Sequence, residues 1–435
     1  MSGQIPGFDS PIATPACAAT PSQVIEQIAR EGYGRLVAIL SRKTRDLASA
    51  EDALSAALLA ALESWPTDGL PANPDGWLVR VAHRRWMDEN RLDSSRESLL
   101  KDHVGPLLAS LESTMADDSP AWQLADERLP MMFACAHPAI DPALRTPLIL
   151  QAVLGIDAQR IASAFLVTPA TMSQRLVRVK TKLRDAAIPF EVPPEHLLAE
   201  RLDDILAAIY AAYGTAFDDH FRGDEGVGDL AREAIWLAQL IQQLLPQAAE
   251  ALGLYSLLLF CEARRPARRS VDGCYVPLDR QDVGKWNHAL LDLAEERLRA
   301  AAKLRSLGRF QLEAAIQSAH CSRRYFPREE SAPDWNSIAL LYEGLLQRFP
   351  SLGGRVAQVA ALINAGGHDR AREIFETIPA ELCRSYQPWW VVSSDLARIA
   401  GDNAKAHGDR LVAMGLTEDV AIKRFLEEGL SDLSH

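Results

Sequence analysis

The six cysteines of this 435-residue chain never form a C-x-x-C pair, which indicates reduced thiols rather than a disulfide framework or zinc knuckle. Cys135 and His137 are close in sequence, but no second ligand pair has the spacing of a metal site, so we expect no metal and no cofactor. No apolar run reaches the roughly 18 residues of a membrane helix, and a charged-then-apolar leader is lacking. We therefore expect a cytoplasmic protein with no membrane partner.

Catalytic motifs are also lacking. The sequence contains no phosphate-binding P-loop, no G-x-S-x-G and no H-E-x-x-H, so we predict that the chain is not an enzyme. Its composition, with 48% hydrophobic and 24% charged residues, is that of a globular protein. Apolar residues recur at helical spacing through most of the chain, and no strand-like alternation follows Pro194. This pattern predicts an all-α fold.

The net charge is −12, but it is unevenly distributed. Residues 157–190 carry six Lys/Arg against two Asp/Glu, whereas residues 191–435 carry 27 against 36. Concentrated positive charge in an acidic protein indicates contact with phosphates, and the acidic remainder is a poor candidate for binding nucleic acid. The alternative for the basic stretch is an ordinary amphipathic helix with a solvated basic face.

The basic stretch has the pattern of two helices joined by a tight turn. Asp157 is a suitable N-cap for the first helix, and Thr168 can cap the second with Pro169 at its first position. An apolar stripe in the second helix consists of Met172, Leu176, Val179 and Leu183. These features predict a helix-turn-helix whose second helix lies in the major groove of DNA.

Weaker local signals predict other elements. Ser49, followed by Asp52 three residues later, indicates the start of a helix in the N-terminal part. A helix with both Trp and Arg begins near Trp77 and reads WLVRVAHRRWMDENR. A Gly/Pro/Arg-rich break follows Arg264, with a short hairpin at Asp272-Gly273. After the break, the spacing of Gly366, Ala371 and Phe375 is that of a tetratricopeptide helix pair.

The order of these parts resembles the extracytoplasmic-function (group IV) sigma factors of bacterial RNA polymerase. Four segments resemble the subfamily with a long helical, tetratricopeptide-like C-terminal extension. They are MMFACAHPAID, IASAFLVTPATMSQRLVRVKTKLRDAAIPFEVP, EARRPAR and QDVGKWN. The predicted segments are a disordered tail at 1–20, sigma region 2 at 21–95, a linker at 96–123, the region 4 helix-turn-helix at 124–190 and the helical extension at 195–435.

The resemblance implies a sigma factor that binds core RNA polymerase and promoter DNA and directs transcription initiation. It also implies regulation by the C-terminal domain, which could contact the sigma domains intramolecularly. Core polymerase would be bound through Glu51 and Asp52. The −10 element would be held by Arg80, His83, Arg84, Trp86 and Arg91. The −35 element would be read and held by Thr171, Ser173, Gln174, Arg175, Arg178 and Lys182.

Two departures from the family pattern leave alternatives open. Ser55-Ala56 replaces a polar Gln-Glu pair, and the Arg-rich run after the Trp77 helix is diluted to RLDSSR. The chain could instead be a stand-alone helix-turn-helix transcription regulator, or a protein-interaction scaffold with a degenerate sigma-like part. The segments around the break predict either a buried ion-pair network or a binding site. The residues concerned are Glu262, Arg264, Arg265, Arg268, Gln281, Asp282 and Trp286.

Overall fold

The structure, a computed structural model, describes residues 20–93, 127–165, 167–219, 227–325 and 333–431. Within these ranges it has 20 α-helices and no β-strand, so the predicted all-α fold is confirmed. The predicted linker and all of the predicted tail except Thr20 lie outside the described residues. The described helices form two compact units, an N-terminal unit up to residue 234 and a C-terminal unit from residue 235.

Four helices begin the N-terminal unit: α1 (Pro21–Gln27), α2 (Tyr33–Thr44), α3 (Leu47–Asp68) and α4 (Pro74–Asp93). A π-helical turn joins α1 to α2. Helix α3 packs against α2 and α4 through buried alanines, and small residues let helix backbones approach closely. The large side chains of this core include Leu36, Leu40, Leu54, Trp65 and Leu78.

Helix α3 starts upstream of the predicted start at Ser49, so that prediction was wrong. The Asp46 carboxylate caps the helix, accepting from the Ala48 amide at 3.2 Å and from the Ser49 hydroxyl at 2.6 Å. Asp46 and Ser49 are both good capping residues. The earlier start places Leu47, which is 1% exposed, within the helix and the core.

The next four helices are α5 (Arg128–Cys135), α6 (Pro142–Ala152), α7 (Ala158–Ala164) and α8 (Pro169–Asp185). Helices α7 and α8 form the predicted helix-turn-helix. An Asp157 oxygen accepts from the amides of Gln159 and Arg160, each at 2.9 Å. The Thr168 hydroxyl accepts from the Thr171 amide at 3.2 Å. Both predicted caps are therefore confirmed, and the predicted apolar stripe of α8 is buried.

The N-terminal unit continues beyond the helix-turn-helix into α9 (Glu195–Asp219) and the start of α10 (Val227–Leu244). Two contacts attach α9 to the preceding helices. Arg145 in α6 pairs with Asp204 at 2.8 Å, and the buried Arg201 donates to the Phe133 carbonyl at 2.9 Å. These contacts tie α9 to the helices that support α8.

The C-terminal unit contains the remainder of α10 and ten further helices. These are α11 (Ala249–Ala263), α12 (His288–Lys303), α13 (Arg309–Cys321), α14 (Trp335–Arg348), α15 (Leu352–Asn364), α16 (His368–Glu376), α17 (Ala380–Cys383), α18 (Gln387–Ile399), α19 (Asn403–Gly415) and α20 (Val420–Ser431). Helix α11 is buried on nearly every side by its neighbours α12 and α13. The Glu250 carboxylate accepts from the Phe310 and Gln311 amides at 2.8 and 3.1 Å, which caps α13.

The predicted break separates α11 from α12, and the predicted hairpin is present. Arg269 and Tyr275 form an isolated antiparallel bridge, and Gly273 takes the positive φ of 76° that the turn requires. Arg269 also pairs with Asp419 at 2.6 Å, so the base of the hairpin is attached to the chain just before α20.

Consecutive helices pack in pairs after the break, including α14 with α15 and α18 with α19. Ala371 in α16 is fully buried, and Phe375 stacks on Trp389 with ring centroids 5.0 Å apart. Trp390 meets Trp389 edge-on at 4.9 Å. Gly366 ends α15 with a φ of 80°, which favours glycine. The apolar core of this part therefore comes mainly from helices that are near neighbours along the chain.

Candidate nucleic-acid interface

The solvent-facing side of α8 is polar at its start and cationic along its length. Ser173, Gln174, Arg175, Arg178 and Lys182 are exposed. The buried stripe holds the opposite side of the helix in the core, so these side chains are presented together. No acidic residue occurs in α8 before Asp185. Such a surface suits phosphates along the helix and base edges at its N-terminal end.

Thr171 differs from the other predicted −35 residues. Its hydroxyl lies 2.8 Å from that of Thr168 in the helix cap, and its side chain is half-buried. The structure brings Thr171 to the same end of α8 as Ser173 and Gln174. Its hydroxyl is already engaged in the turn, so it orients the start of the helix.

The predicted −10 residues lie in α4 and divide into two groups. Arg80 and Arg84 are exposed and lie one helical turn apart, while His83 is buried and Trp86 is half-buried. The rings of His83 and Trp86 are 5.8 Å apart. Arg91 belongs to the last turn of α4, but its side chain and residues 94–96 of the RLDSSR run lie outside the described residues.

His83 has an environment that opposes a positive charge. Burial is the main reason that its pKa is lowered, and the nearby Lys43 lowers it further. Burial also lowers the pKa of Lys43. The imidazole is therefore neutral at neutral pH and packs against Trp86 as a ring, whereas the exposed arginines of this helix, Arg80 and Arg84 among them, carry positive charge.

The two residues predicted to bind polymerase lie side by side in α3 but have different surroundings. Asp52 is exposed, whereas Glu51 has only 17% of its side chain exposed. Burial raises the pKa of Glu51, and the neighbouring Lys180 partly offsets the increase. Tyr33 of α2 is close to both carboxylates, and its pKa is raised by burial first and by these charges second.

Glu51 is paired with the helix-turn-helix. Lys180 of α8 places its Nζ 2.7 Å and 2.6 Å from the two carboxylate oxygens of Glu51. Only 10% of the Lys180 side chain is exposed, in contrast to the cations on the outer side of the same helix. One basic residue of α8 thus joins two predicted sigma domains rather than facing solvent.

A close backbone contact accompanies this ion pair. A Cβ atom on Gly34 of α2 would lie 1.8 Å from the carbonyl oxygen of Val153, which follows α6. Gly155 has a φ of 65° and packs near the ring of Tyr33. At another point of this boundary, Arg42 pairs with Glu127 at 2.5 Å. We call the contact of α2 and α3 with residues 127–180 the closed contact.

Cys135 and His137 have local packing roles. Cys135 is fully buried, and burial raises the pKa of its thiol to about 12. The His137 Nδ1 accepts from the Ala139 amide at 3.1 Å. Among the described residues, no group of three or more His, Cys, Asp or Glu side chains could hold a metal ion. None of the helices that the structure describes has the length and apolarity needed to span a bilayer.

Comparison with known proteins agrees with this arrangement of helices. Residues 28–96 match the family model of sigma-70 region 2, and the described part of the match contains α2, α3 and α4. An uncharacterized protein of Rhizobium meliloti (strain 1021) is 33% identical over 344 residues, which are 79% of this chain and 80% of that protein. The chain belongs to the family of that protein. The region 2 match of this chain supports a sigma-70-type factor with a role in transcription initiation.

A second match lies beyond the helix-turn-helix. Residues 201–302 match a family of unknown function, DUF6596. The described part of this stretch includes α10, α11 and the break before α12. No solved structure matches the chain significantly. Region 2 is therefore the part of this sigma-70-type chain to which the comparisons attach a function.

The segments on either side of the break make an ion pair and several separate contacts. Arg265 pairs with Glu262 at 2.5 Å, while the buried Arg264 donates to the Phe260 carbonyl at 3.3 Å. Asp282 accepts from the Gly284 amide at 2.9 Å and so caps a short 3₁₀ turn. Arg323 lies over the Trp286 ring at 5.9 Å. These contacts fasten the break to α11 and to the residues after α13.

Sequence reasoning missed Lys180, although a local signal was present. Lys180 follows Leu176 by four residues and precedes Leu183 by three, so helical spacing places it at the edge of the buried stripe. The excess of basic residues in α8 gave no reason to separate Lys180 from the exposed cations of the same helix. Its partner Glu51, which is distant in sequence, could not be recognised from that spacing.

Proposed function

We propose that the chain is a sigma factor that binds core RNA polymerase and directs promoter recognition. The observation that carries the proposal is that the region 2 match and the helix-turn-helix occur in one compact unit. In this proposal, α4 binds the −10 element, and α8 reads the −35 element through Ser173 and Gln174 and holds phosphates through Arg175, Arg178 and Lys182. The extracytoplasmic-function type of sigma factor belongs to the same proposal.

Run-off transcription on a randomised promoter library tests this function. Full-length protein with purified core polymerase is expected to give transcripts with defined start sites. The Arg175→Ala/Arg178→Ala variant should lose most of them because two exposed cations of α8 are removed. Sequence-specific DNA binding without polymerase, together with no promoter-directed transcription, would favour the stand-alone regulator. Absence of both activities and of co-elution with core would favour the scaffold.

We further propose that the tetratricopeptide-like C-terminal region regulates this activity. A deletion that tests regulation has to retain α9, because Arg145 and Arg201 join it to the helix-turn-helix domain. Residues 1–244 keep this helix and the whole of α10. If the C-terminal unit clamps the sigma domains, transcription by residues 1–244 should exceed that of the full chain. Loss of transcription on deletion would contradict the clamp and indicate a positive role.

A further inference from the structure

The proposed polymerase-binding surface of α3 is partly covered by another part of the same chain. At its N-terminal end, Glu51 is buried beneath α8, although Asp52 next to it remains exposed. Farther along the helix, Leu59 and Leu62 are 61% and 46% exposed. These residues fall on one face at helical spacing, so the helix-turn-helix covers one end of a continuous surface.

The closed contact is specific in both charge and shape. Lys180 occupies both oxygens of the Glu51 carboxylate, and the low exposure of the two side chains strengthens their attraction. The Gly34 backbone approaches Val153 so closely that the space holds no side chain at position 34. Charge pairing and backbone contact thus depend on different residues, and each can be removed separately.

We infer that the closed contact is autoinhibitory: α8 and core polymerase compete for the same end of α3. This inference rests on the proposed function, since it takes α3 to be the polymerase-binding helix. A cationic group of the polymerase reaches Glu51 only after Lys180 has left. The closed state therefore lowers the apparent affinity for polymerase in proportion to the fraction of molecules that are open.

Two substitutions open the contact from opposite sides. Gly34→Ala adds a methyl group that collides with the Val153 carbonyl, yet alanine is favoured within helix α2. Lys180→Glu places a second carboxylate against Glu51. The matched controls are Gly344→Ala, whose new methyl group meets no atom within 4 Å, and Arg184→Glu, a charge reversal at an exposed position of α8.

Opening is measured first on the free, full-length protein by lysine acetylation and mass spectrometry. In the wild type, Lys180 should react much more slowly than the exposed Lys182, which serves as an internal standard. Gly34→Ala should bring the rate of Lys180 close to that of Lys182, whereas Gly344→Ala should leave it slow. Slow acetylation of Lys180 in Gly34→Ala, or fast acetylation in the wild type, would overturn the closed contact itself.

Affinity for core polymerase, measured without DNA, then tests inhibition. If about one molecule in a hundred is open, Gly34→Ala and Lys180→Glu should each bind about a hundredfold more tightly than the wild type. The controls should bind as the wild type does. Unchanged or weaker binding by Gly34→Ala, in which acetylation demonstrates an open chain and circular dichroism a folded one, would overturn the inhibitory role.

The failure of the proposed function gives a different result. If no form of the chain binds polymerase, including the open variants, the sigma-factor proposal and the inhibitory role both fail. The acetylation pattern of Lys180 would still report whether the closed contact exists. If the wild type binds polymerase and the open variants bind no better, only the inhibitory role is rejected.

Discussion

The two units of the molecule differ in how their helices are held together. In the N-terminal unit, ion pairs such as Glu51–Lys180 and Arg145–Asp204 join helices that are far apart in sequence. In the C-terminal unit, several ion pairs lie within one helix, as Lys405–Asp409 does, beside pairs between elements such as Arg269–Asp419, and aromatic rings join neighbouring helices. Ion pairs between distant helices suit domains that separate when the paired side chains bind other groups. Contacts between neighbouring helices suit a continuous helical stack.

The largest expected effect is the loss of apolar packing in the C-terminal unit. Trp389→Ala should lower the free energy of unfolding of this unit by about 4 kcal/mol, since it removes a large ring packed between Phe375 and Trp390. Hydrogen exchange of α15 and α18 measures the change. Leu340→Ala, at a position that is 64% exposed, is the control and should change stability by less than about 0.5 kcal/mol. Equal effects would contradict the assignment of Trp389 to the core.

Removing one charge of the closed contact should have the next largest effect. Lys180→Met leaves the buried Glu51 without its partner and should destabilise the N-terminal unit by about 3 kcal/mol, measured by urea unfolding with hydrogen exchange. The Glu51→Leu/Lys180→Met variant should recover most of this loss, because no buried charge remains. A double variant as unstable as Lys180→Met would show that the charge pair is not what stabilises this boundary.

Acid should weaken the C-terminal unit through His320. Burial, with the nearby charges of Arg264 and Arg323, lowers the pKa of His320 to about 3. An unfolded histidine has a pKa near 6.5, so the unfolded chain binds the proton more readily, and stability falls as pH drops below about 6.5. Between pH 7.5 and pH 5 we expect a loss of about 2 kcal/mol from this group.

The His320→Phe variant provides the test of this pH dependence. Phenylalanine retains a ring beside Trp335, whose centroid is 5.4 Å from that of His320, but cannot be protonated. Hydrogen exchange of α13 and α14 at both pH values should show a smaller acid effect in this variant. An undiminished effect would assign the acid sensitivity to other groups.

The smallest effect concerns the exposed face of α8. Arg178→Ala should weaken promoter binding by the polymerase complex about tenfold, or about 1.4 kcal/mol, and reduce the dependence of log affinity on log salt by about one. The stability of the free protein should not change because the side chain is exposed. An affinity loss without any change in salt dependence would argue against a phosphate contact.

Local features of the fold were predictable because they depend on short spacings. The caps at Asp157 and Thr168, the buried side of α8 and the hairpin at Gly273 each follow from residues a few positions apart. The start of α3 was not predictable in this way, since two good caps compete and the burial of Leu47 decides between them. The functional roles of the α4 and α8 residues remain predictions.

The closed contact could not be predicted from the sequence. It requires a lysine and a glutamate that no local pattern connects, and a glycine whose importance depends on a carbonyl group from another domain. Helical periodicity identifies which residues are buried, but it does not identify the surface that buries them. His83 shows the same limit, because its burial against Trp86 depends on how α4 packs in the core.

The hairpin in the break of the C-terminal unit offers a place for lengthening the chain. Val271 is 95% exposed, and a Cβ atom on Gly273 would meet nothing within 4 Å, while the Arg269–Tyr275 bridge and Asp419 hold the base. Exposed loop tips tolerate insertions because the entropy of closing a loop grows slowly with its length. A short affinity or fluorescent tag after Asp272 should therefore leave the helical stack intact, and it would make the protein traceable at an internal position.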